Sequence, residues 1–198
     1  MTIKKLVYGV GINDTTEPTE KSHRENNKKV TEWVCPYYRK WTDMLRRCYS
    51  KTKPLGYENC YVCEEWLYFS NFRAWAAEQG LCEDNRDLHL DKDLKVIGNK
   101  EYSPDKCTLV PYKLNSFIVE KDRGRGKYLI GVSLDKASNK YRATCRLNGK
   151  AKYLGLYNSE EEAHQAWKSY KLKLVKDMNL RGDIPCKEIY ESLLIKYS

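Results

Sequence analysis

The stretch YRATCRLNGKAKYLGLYNSEEEAHQAW, residues 141–167, decides the fold of the C-terminal part of this chain. It contains two runs of alternating residues on either side of Asn148-Gly149, the preferred pair for a two-residue type I′ hairpin turn. Such a turn fixes which residues of the two strands lie opposite one another. The predicted opposed pairs are Leu147 with Lys150, Arg146 with Ala151, Cys145 with Lys152, and Thr144 with Tyr153.

Directly opposed residues of a hairpin share a face, so this register predicts two faces of different polarity. The polar face carries Arg142, Thr144, Arg146 and Tyr153. The apolar face carries Tyr141, Ala143, Cys145, Leu154 and Leu156. We expect the apolar face to be covered by another element and the polar face to be open to solvent.

The segment that follows the hairpin predicts this cover. Ser159, with Glu162 three residues later, has the pattern of a helix cap. The residues that follow at helical spacing are Ala163, Ala166, Trp167, Tyr170 and Leu174. Together with a preceding strand, residues 128–178 are predicted to form a three-stranded antiparallel sheet packed on one helix.

Positive charge is concentrated in the same part of the chain. The formal net charge is +9 over 198 residues, and residues 121–152 hold ten lysines and arginines against two aspartates. A basic stretch is often only a solvated surface. Joined to arginines on an open sheet face, it favours binding in the DNA major groove, with RNA binding as a weaker alternative.

Residues 130–167 resemble the Apetala-two, or ethylene-response-factor, DNA-binding domain of plant regulators. The matching positions are Gly131, Val132, Tyr141, Ala143, Arg146, Tyr153, Leu154, Gly155, Glu161, Glu162 and Ala163. The resemblance implies that the sheet binds double-stranded DNA, with Arg146 and Tyr153 as the best-preserved contact positions. With the residues around them, the candidate DNA-binding set is Arg142, Thr144, Arg146, Lys150, Lys152 and Tyr153. Ile130 and Ser133 replace arginines of the plant domain, so its target specificity does not carry over.

The region before this unit is rich in tryptophan and cysteine. It predicts helices around Arg39–Tyr49 and Trp66–Glu78, then two short strands or turns that lead into a helix with Asn115. Trp66, Phe69, Phe72 and Trp75 recur at three-residue steps and are predicted to be core. The predicted division of the chain is residues 1–30, a strand (KKLVYGVGI) and a polar loop; 31–118; a basic linker, 119–127; 128–178; and a tail helix, 179–198.

Motifs in residues 31–118 resemble a phage subgroup of HNH homing endonucleases. They are Arg47-Cys48, Val62-Cys63 with Trp66, Leu90-Asp91-Lys92, Tyr102-Ser103-Pro104, Cys107 and Asn115. The resemblance implies an α+β protein in which a small nuclease domain of the ββα-metal type precedes the sheet domain. It also implies a homing-type endonuclease that cuts double-stranded DNA with Mg²⁺.

The motif departs from the HNH pattern at the position of the general base. The usual Asp-His pair reads Asp91-Lys92, and His89 is the only histidine of the region. Alternate positions of a strand would place His89, Asp91 and Asp93 on the same face. The candidate catalytic residues are therefore His89 as general base, Asp91 and Asp93, together with Asn115, which the resemblance implies as the final Asn of the motif. The alternative is a catalytically inactive DNA-binding regulator or host-takeover protein, which a failure of these side chains to converge would favour.

The chain has eight cysteines. In a reducing cytosol they are expected to be thiols or metal ligands rather than disulfides. Cys60 and Cys63, with Cys48 and Cys107, have the composition of a four-thiolate structural Zn²⁺ site. Buried free thiols are the competing interpretation.

The remaining expectations are exclusions. No run of 18 apolar residues is present, which argues against a membrane span. The polar start argues against a secretory signal, so a cytoplasmic protein is expected. A small-molecule substrate is not expected. The sequence does not predict the oligomeric state.

Overall fold

The computed structural model of the chain describes residues 6–52, 54–118, 127–147 and 149–198. The fold is mixed α+β, as predicted, with four small sheets and five α-helices in this part of the chain. The chain divides into two compact units, Met1–Pro111 and Tyr112–Ser198. No helix of the described residues is long and apolar enough to cross a membrane.

The N-terminal unit combines three two-stranded sheets with two helices. Its elements in order are β1 (Glu20–Glu25), β2 (Lys28–Val34), α1 (Pro36–Tyr49), β3 (Tyr61–Val62), a 3-10 turn (Glu65–Leu67), α2 (Phe69–Glu78), β4 (Leu88–Asp91), β5 (Glu101–Tyr102) and β6 (Thr108–Pro111). The pairs β1–β2 and β4–β6 are antiparallel, and β3–β5 is parallel. The two predicted helices are present, but Tyr68 interrupts the second one.

The core of this unit is aromatic. The predicted stripe of Trp66, Phe69, Phe72 and Trp75 is buried. Trp41 of α1 packs on Phe69, and its indole Nε1 donates to the Trp66 carbonyl at 2.7 Å. The three-residue spacing in the sequence is therefore confirmed as a core signal, although it spans a 3-10 turn and a helix rather than one helix.

The structure differs from the prediction within the first 30 residues. Residues 6–12 of the predicted strand form a turn with isolated bridges, and residues 4–5 lie outside the described residues. The polar stretch after residues 6–12 contains β1 and the first residues of β2. Asn26 and Asn27 join the strands with φ values of +48° and +62°. Asparagine tolerates this left-handed conformation, so Asn-Asn can form the two-residue turn.

The C-terminal unit holds the predicted sheet and helix. Its elements are α3 (Tyr112–Ile118), β7 (Val132–Asp135), β8 (Lys140–Leu147), β9 (Lys150–Tyr157), α4 (Glu160–Leu180) and α5 (Lys187–Tyr197). The sheet is antiparallel with order β7-β8-β9, and α4 packs against all three strands. The helices α3 and α5 group with this unit, whereas the sequence assigned them to the region before it and to a tail. Residues 119–126 of the predicted linker lie outside the described residues.

The register of the hairpin is confirmed at all four predicted pairs, from Leu147–Lys150 to Thr144–Tyr153. Asn148 of the predicted turn lies outside the described residues. Beyond Thr144 the register shifts, because Ala143 pairs with Gly155 and Leu154 is an extra residue in a β-bulge. A one-residue shift moves every later side chain to the other face. Leu156 therefore lies opposite Arg142, 39% exposed, and its predicted place on the apolar face was wrong.

Helix α4 begins as predicted. The backbone N–H of Glu162 donates to Ser159 Oγ at 3.1 Å, and the Glu162 carboxylate accepts from the Asn158 N–H at 3.2 Å. Its buried residues are Ala163, Trp167, Lys171 and Val175. The other predicted stripe residues, Ala166, Tyr170 and Leu174, are half-buried. The ammonium of Lys171 lies over the Phe117 ring, 3.4 Å from its centroid, which is how the core accommodates a lysine.

Candidate functional site

The open face of the C-terminal sheet carries the predicted polar set. Alternate positions of β8 place Arg142, Thr144 and Arg146 on the face opposite Ala143 and Cys145, which are fully buried. Tyr153 of β9 lies opposite Thr144 and is 55% exposed. The bulge adds Leu156 beside Arg142, so the face combines two arginines with an aromatic and an aliphatic side chain.

The two arginines of this face differ in how their charge is balanced. The Arg142 guanidinium pairs with the Asp135 carboxylate, which also accepts from the N–H groups of Ala137 and Ser138 at 3.1 Å. The Ser138 hydrogen bond and then Arg142 hold the pKa of Asp135 below its usual range. Among the described residues, no acidic group pairs with Arg146. Arg146 is therefore the arginine of this face whose donors are available to a ligand.

Lys150 and Lys152 lie on the other side of the sheet. Their partners in the register are Leu147 and Cys145, which belong to the face that α4 covers. Both lysines are nevertheless exposed, near the turn that joins β8 to β9. This position suits contacts to a nucleic-acid backbone at the edge of the sheet rather than contacts to bases under it.

The candidate catalytic residues do not share one strand face. His89 and Asp91 are alternate, half-buried positions of β4, but the strand ends at Asp91 and Asp93 lies beyond it. Asp91 Oδ1 accepts from the N–H groups of Asp93 at 2.9 Å and Leu94 at 2.8 Å. This local turn ends the strand, because the carboxylate takes the place of a strand partner. The predicted common face is thus correct for His89 and Asp91 and wrong for Asp93.

Lys92 occupies the position where the motif has its usual histidine, and it is buried. Its Nζ donates to both carboxylate oxygens of Asp93 at 2.7 Å and to the Asn99 carbonyl at 2.8 Å. The Asn99 side chain donates back to the Lys92 carbonyl at 2.8 Å. Sequence reasoning missed Asn99, because nothing in its spacing links it to Lys92. The network closes the loop between β4 and β5 and uses all three ammonium hydrogens.

His89, Asp91 and Asp93 do not form a metal-binding cluster as they are placed. The Asp91 and Asp93 carboxylates are bound to the backbone and to Lys92. No group of three or more His, Cys, Asp or Glu side chains in the described part of the chain could hold a metal ion. Asn115 lies half-buried on α3, in the C-terminal unit.

The four cysteines of the predicted zinc site all belong to the core of the N-terminal unit. Cys48, Cys60 and Cys107 are buried, and Cys63 is half-buried against them. Burial raises the pKa of Cys63, and it raises the pKa of Cys107 to about 12. No three of these thiols are placed to hold a metal, so the four-thiolate site is not formed in this arrangement.

Elemental analysis tests the zinc prediction directly. A structural site requires about one zinc per chain in protein purified without chelator, and loss of stability in a Cys60→Ser variant. Buried thiols instead require metal-free protein whose Cys48 and Cys107 react with a thiol reagent only after unfolding. The exposed Cys82 is the internal control for reagent access.

The surroundings of His89 are basic. Burial lowers the pKa of its imidazole, and the charges of Lys40 and Arg47 lower it further. An imidazole whose pKa lies below the usual value is mostly neutral at pH 7 and can accept a proton. Of the four predicted catalytic residues, only His89 and Asp91 lie on the same element, strand β4.

Comparisons with known proteins do not assign the chain to a family. No protein-family model, no curated protein and no solved structure matched it.

Proposed function

We propose that this chain binds double-stranded DNA through the exposed face of the β7-β8-β9 sheet. The observation that carries the proposal is Arg146. It is exposed, no described acidic group pairs with it, and it lies on the face that α4 leaves open. Tyr153 and Thr144 flank it on the same face.

The chemistry of this face suits DNA. A small sheet fits the major groove, and an arginine fork can donate two hydrogen bonds to the O6 and N7 atoms of guanine. Tyr153 offers an aromatic surface with a hydroxyl, and Leu156 offers an apolar contact. Lys150 and Lys152 at the hairpin end supply charge for the phosphates.

Replacing Arg146 tests the proposal. Arg146→Ala is expected to weaken binding to a selected DNA site by about 1–3 kcal/mol, the range for a base-contacting arginine. Arg142→Ala is the matched control on the same strand, and its effect is expected to be smaller because Asp135 already pairs with Arg142. Electrophoretic mobility shifts or fluorescence anisotropy measure both. Unchanged affinity in the double alanine variant would overturn the proposal.

Salt dependence gives a second test. Binding by a basic surface releases counterions, so the logarithm of the association constant is expected to fall linearly with the logarithm of salt concentration. Lys150→Ala is expected to weaken binding evenly across DNA sequences and to reduce this slope by about 1. A slope that is flat in the wild type would contradict a phosphate-binding surface.

A homing-type endonuclease is the second candidate, and one observation favours it. The strand β4 carries His89 and Asp91, pairs with β6, and is followed in the chain by α3 with Asn115. This order of elements is the one that the HNH resemblance implies. A regulator that binds DNA without cutting it uses the same sheet, and cleavage assays separate the two.

A further inference from the structure

A cavity of about 170 Å³ opens beside His89 in the N-terminal unit. Its charged lining residues are Arg39, Lys40, Arg86 and Asp87. Val34 and Pro36 complete the wall. The cavity is therefore lined by three cationic side chains and one carboxylate. The sequence alone did not indicate a basic site in this region.

Two of these cations form no ion pair with a described residue. Arg86 pairs with Glu83, but neither Arg39 nor Lys40 has an ion pair with any residue that the structure describes. Lys40 is half-buried, and burial lowers its pKa, while Asp43 and Asp87 act on it from beyond ion-pair distance. Partial burial of the Lys40 ammonium without an ion-pair partner costs free energy, because the charge loses hydration. A bound anion would offset that cost.

We propose that this cavity binds a phosphate group of the nucleic-acid backbone, held by Arg39 and Lys40 beside His89. Arginine binds phosphate with its planar fork and lysine binds it as a point charge, so the pair suits a tetrahedral anion. The proposal rests on the proposed DNA binding only for the source of the phosphate. It gives the N-terminal unit a nucleic-acid contact of its own, separate from the sheet.

The test uses the full chain and a charge-matched pair of variants. Arg39→Gln/Lys40→Gln removes two of the three cavity cations, the two that form no ion pair, and keeps most of each side chain's length. Arg46→Gln/Lys100→Gln removes two exposed charges of the same unit that lie outside the cavity. Circular dichroism checks that both variants are folded. Each protein is titrated with inorganic phosphate by NMR, and with a mixed-sequence double-stranded oligonucleotide at several salt concentrations.

In the wild type, phosphate is expected to shift the amide signals of residues 37–40 and 86–89, and these shifts are expected to be absent from the cavity variant. With DNA, the salt slope of the cavity variant is expected to be smaller by about 0.9 for each phosphate that the protein no longer neutralises, and the control variant is expected to keep its cavity shifts. Phosphate shifts without any change in DNA binding would overturn the assignment to a nucleic-acid backbone. Equal reductions in both variants, or no shifts in the wild type, would overturn the site itself. Because the phosphate arm needs no DNA, failure of the sheet to bind DNA is seen separately.

Discussion

Replacing Gly131 with alanine is expected to destabilise the C-terminal unit by about 2–5 kcal/mol. Gly131 has a φ of +79°, and a Cβ built there would overlap the indole ring of Trp167. The left-handed backbone costs an alanine about 1–2 kcal/mol, and forcing an extra carbon into a packed core costs about 1–3 kcal/mol. Trp167 is buried between the sheet and Tyr197, so it has little room to move.

Gly182 is the matched control for this variant. Its φ is +75°, nearly the same as that of Gly131, but no atom lies within 4 Å of a Cβ built there. Gly182→Ala should therefore show the backbone cost alone. Urea unfolding of the full chain, followed by circular dichroism, measures both variants. Equal destabilisation by the two substitutions would contradict the packing of Gly131 against Trp167.

The elements that were predictable from the sequence are those set by local chemistry. The Asn-Gly pair in the sequence predicted the four nearest pairs of the hairpin, and Ser159 predicted the start of α4, because both signals depend on residues only a few positions apart. The register beyond the bulge was not predictable in this way. Gly155, with a φ of +140°, permits the bulge at Leu154, but the alternation of side chains alone does not reveal an extra residue.

Buried lysines were the second limit of prediction from sequence. Lys171 occupies the i+4 position after Trp167 on the covered face of α4, yet a charged residue at that position predicts a solvent-facing side chain. Its ammonium donates to the Phe117 carbonyl and lies over aromatic rings from other elements. Lys92 is similar, because its partner Asn99 comes from the far end of a loop. The burial of these lysines depends on partners from other elements, and the periodicity of a helix or strand in the sequence does not identify such partners.

The same distinction applies to the candidate catalytic set. The alternation that placed His89 and Asp91 on one face holds as long as the strand continues. Asp91 ends the strand by bonding its own neighbours, so Asp93 leaves that face. Aspartate favours such turns over strands, and this propensity, rather than the period of a strand, decides the geometry after Asp91.

If the N-terminal unit cuts DNA, His89→Ala is expected to abolish nicking in the presence of Mg²⁺. Loss of a general base typically lowers the rate by about 10²–10⁴-fold. Lys92 cannot replace the imidazole, because its ammonium donates to Asp93 and to the Asn99 carbonyl and has no lone pair to offer. His89 is the candidate base in that case, since burial lowers the pKa of its imidazole and leaves it mostly neutral at pH 7.

The direction of this pKa shift predicts the pH profile. The active form of a base is the neutral one, and the pKa of His89 lies below the usual 6.5. Nicking should therefore be constant through neutral pH and should fall only in more acidic solution, as the imidazole gains its proton. A rate that instead rises through pH 8–10 would indicate a lysine as the base.

The assay compares the wild type, His89→Ala and His23→Ala on supercoiled plasmid and on phage and host DNA, with Mg²⁺ or with chelator. His23 lies exposed on β1 of the same unit and is the matched control. DNA affinity is expected to stay nearly intact in both variants, because the sheet of the other unit carries the proposed base-contacting face and the charges of Arg39 and Lys40 are unchanged. Nicking that survives in His89→Ala would show that another residue is the general base. A wild type that binds DNA but cuts none of these substrates would favour the hypothesis of a non-catalytic regulator, since binding by the sheet does not require cleavage.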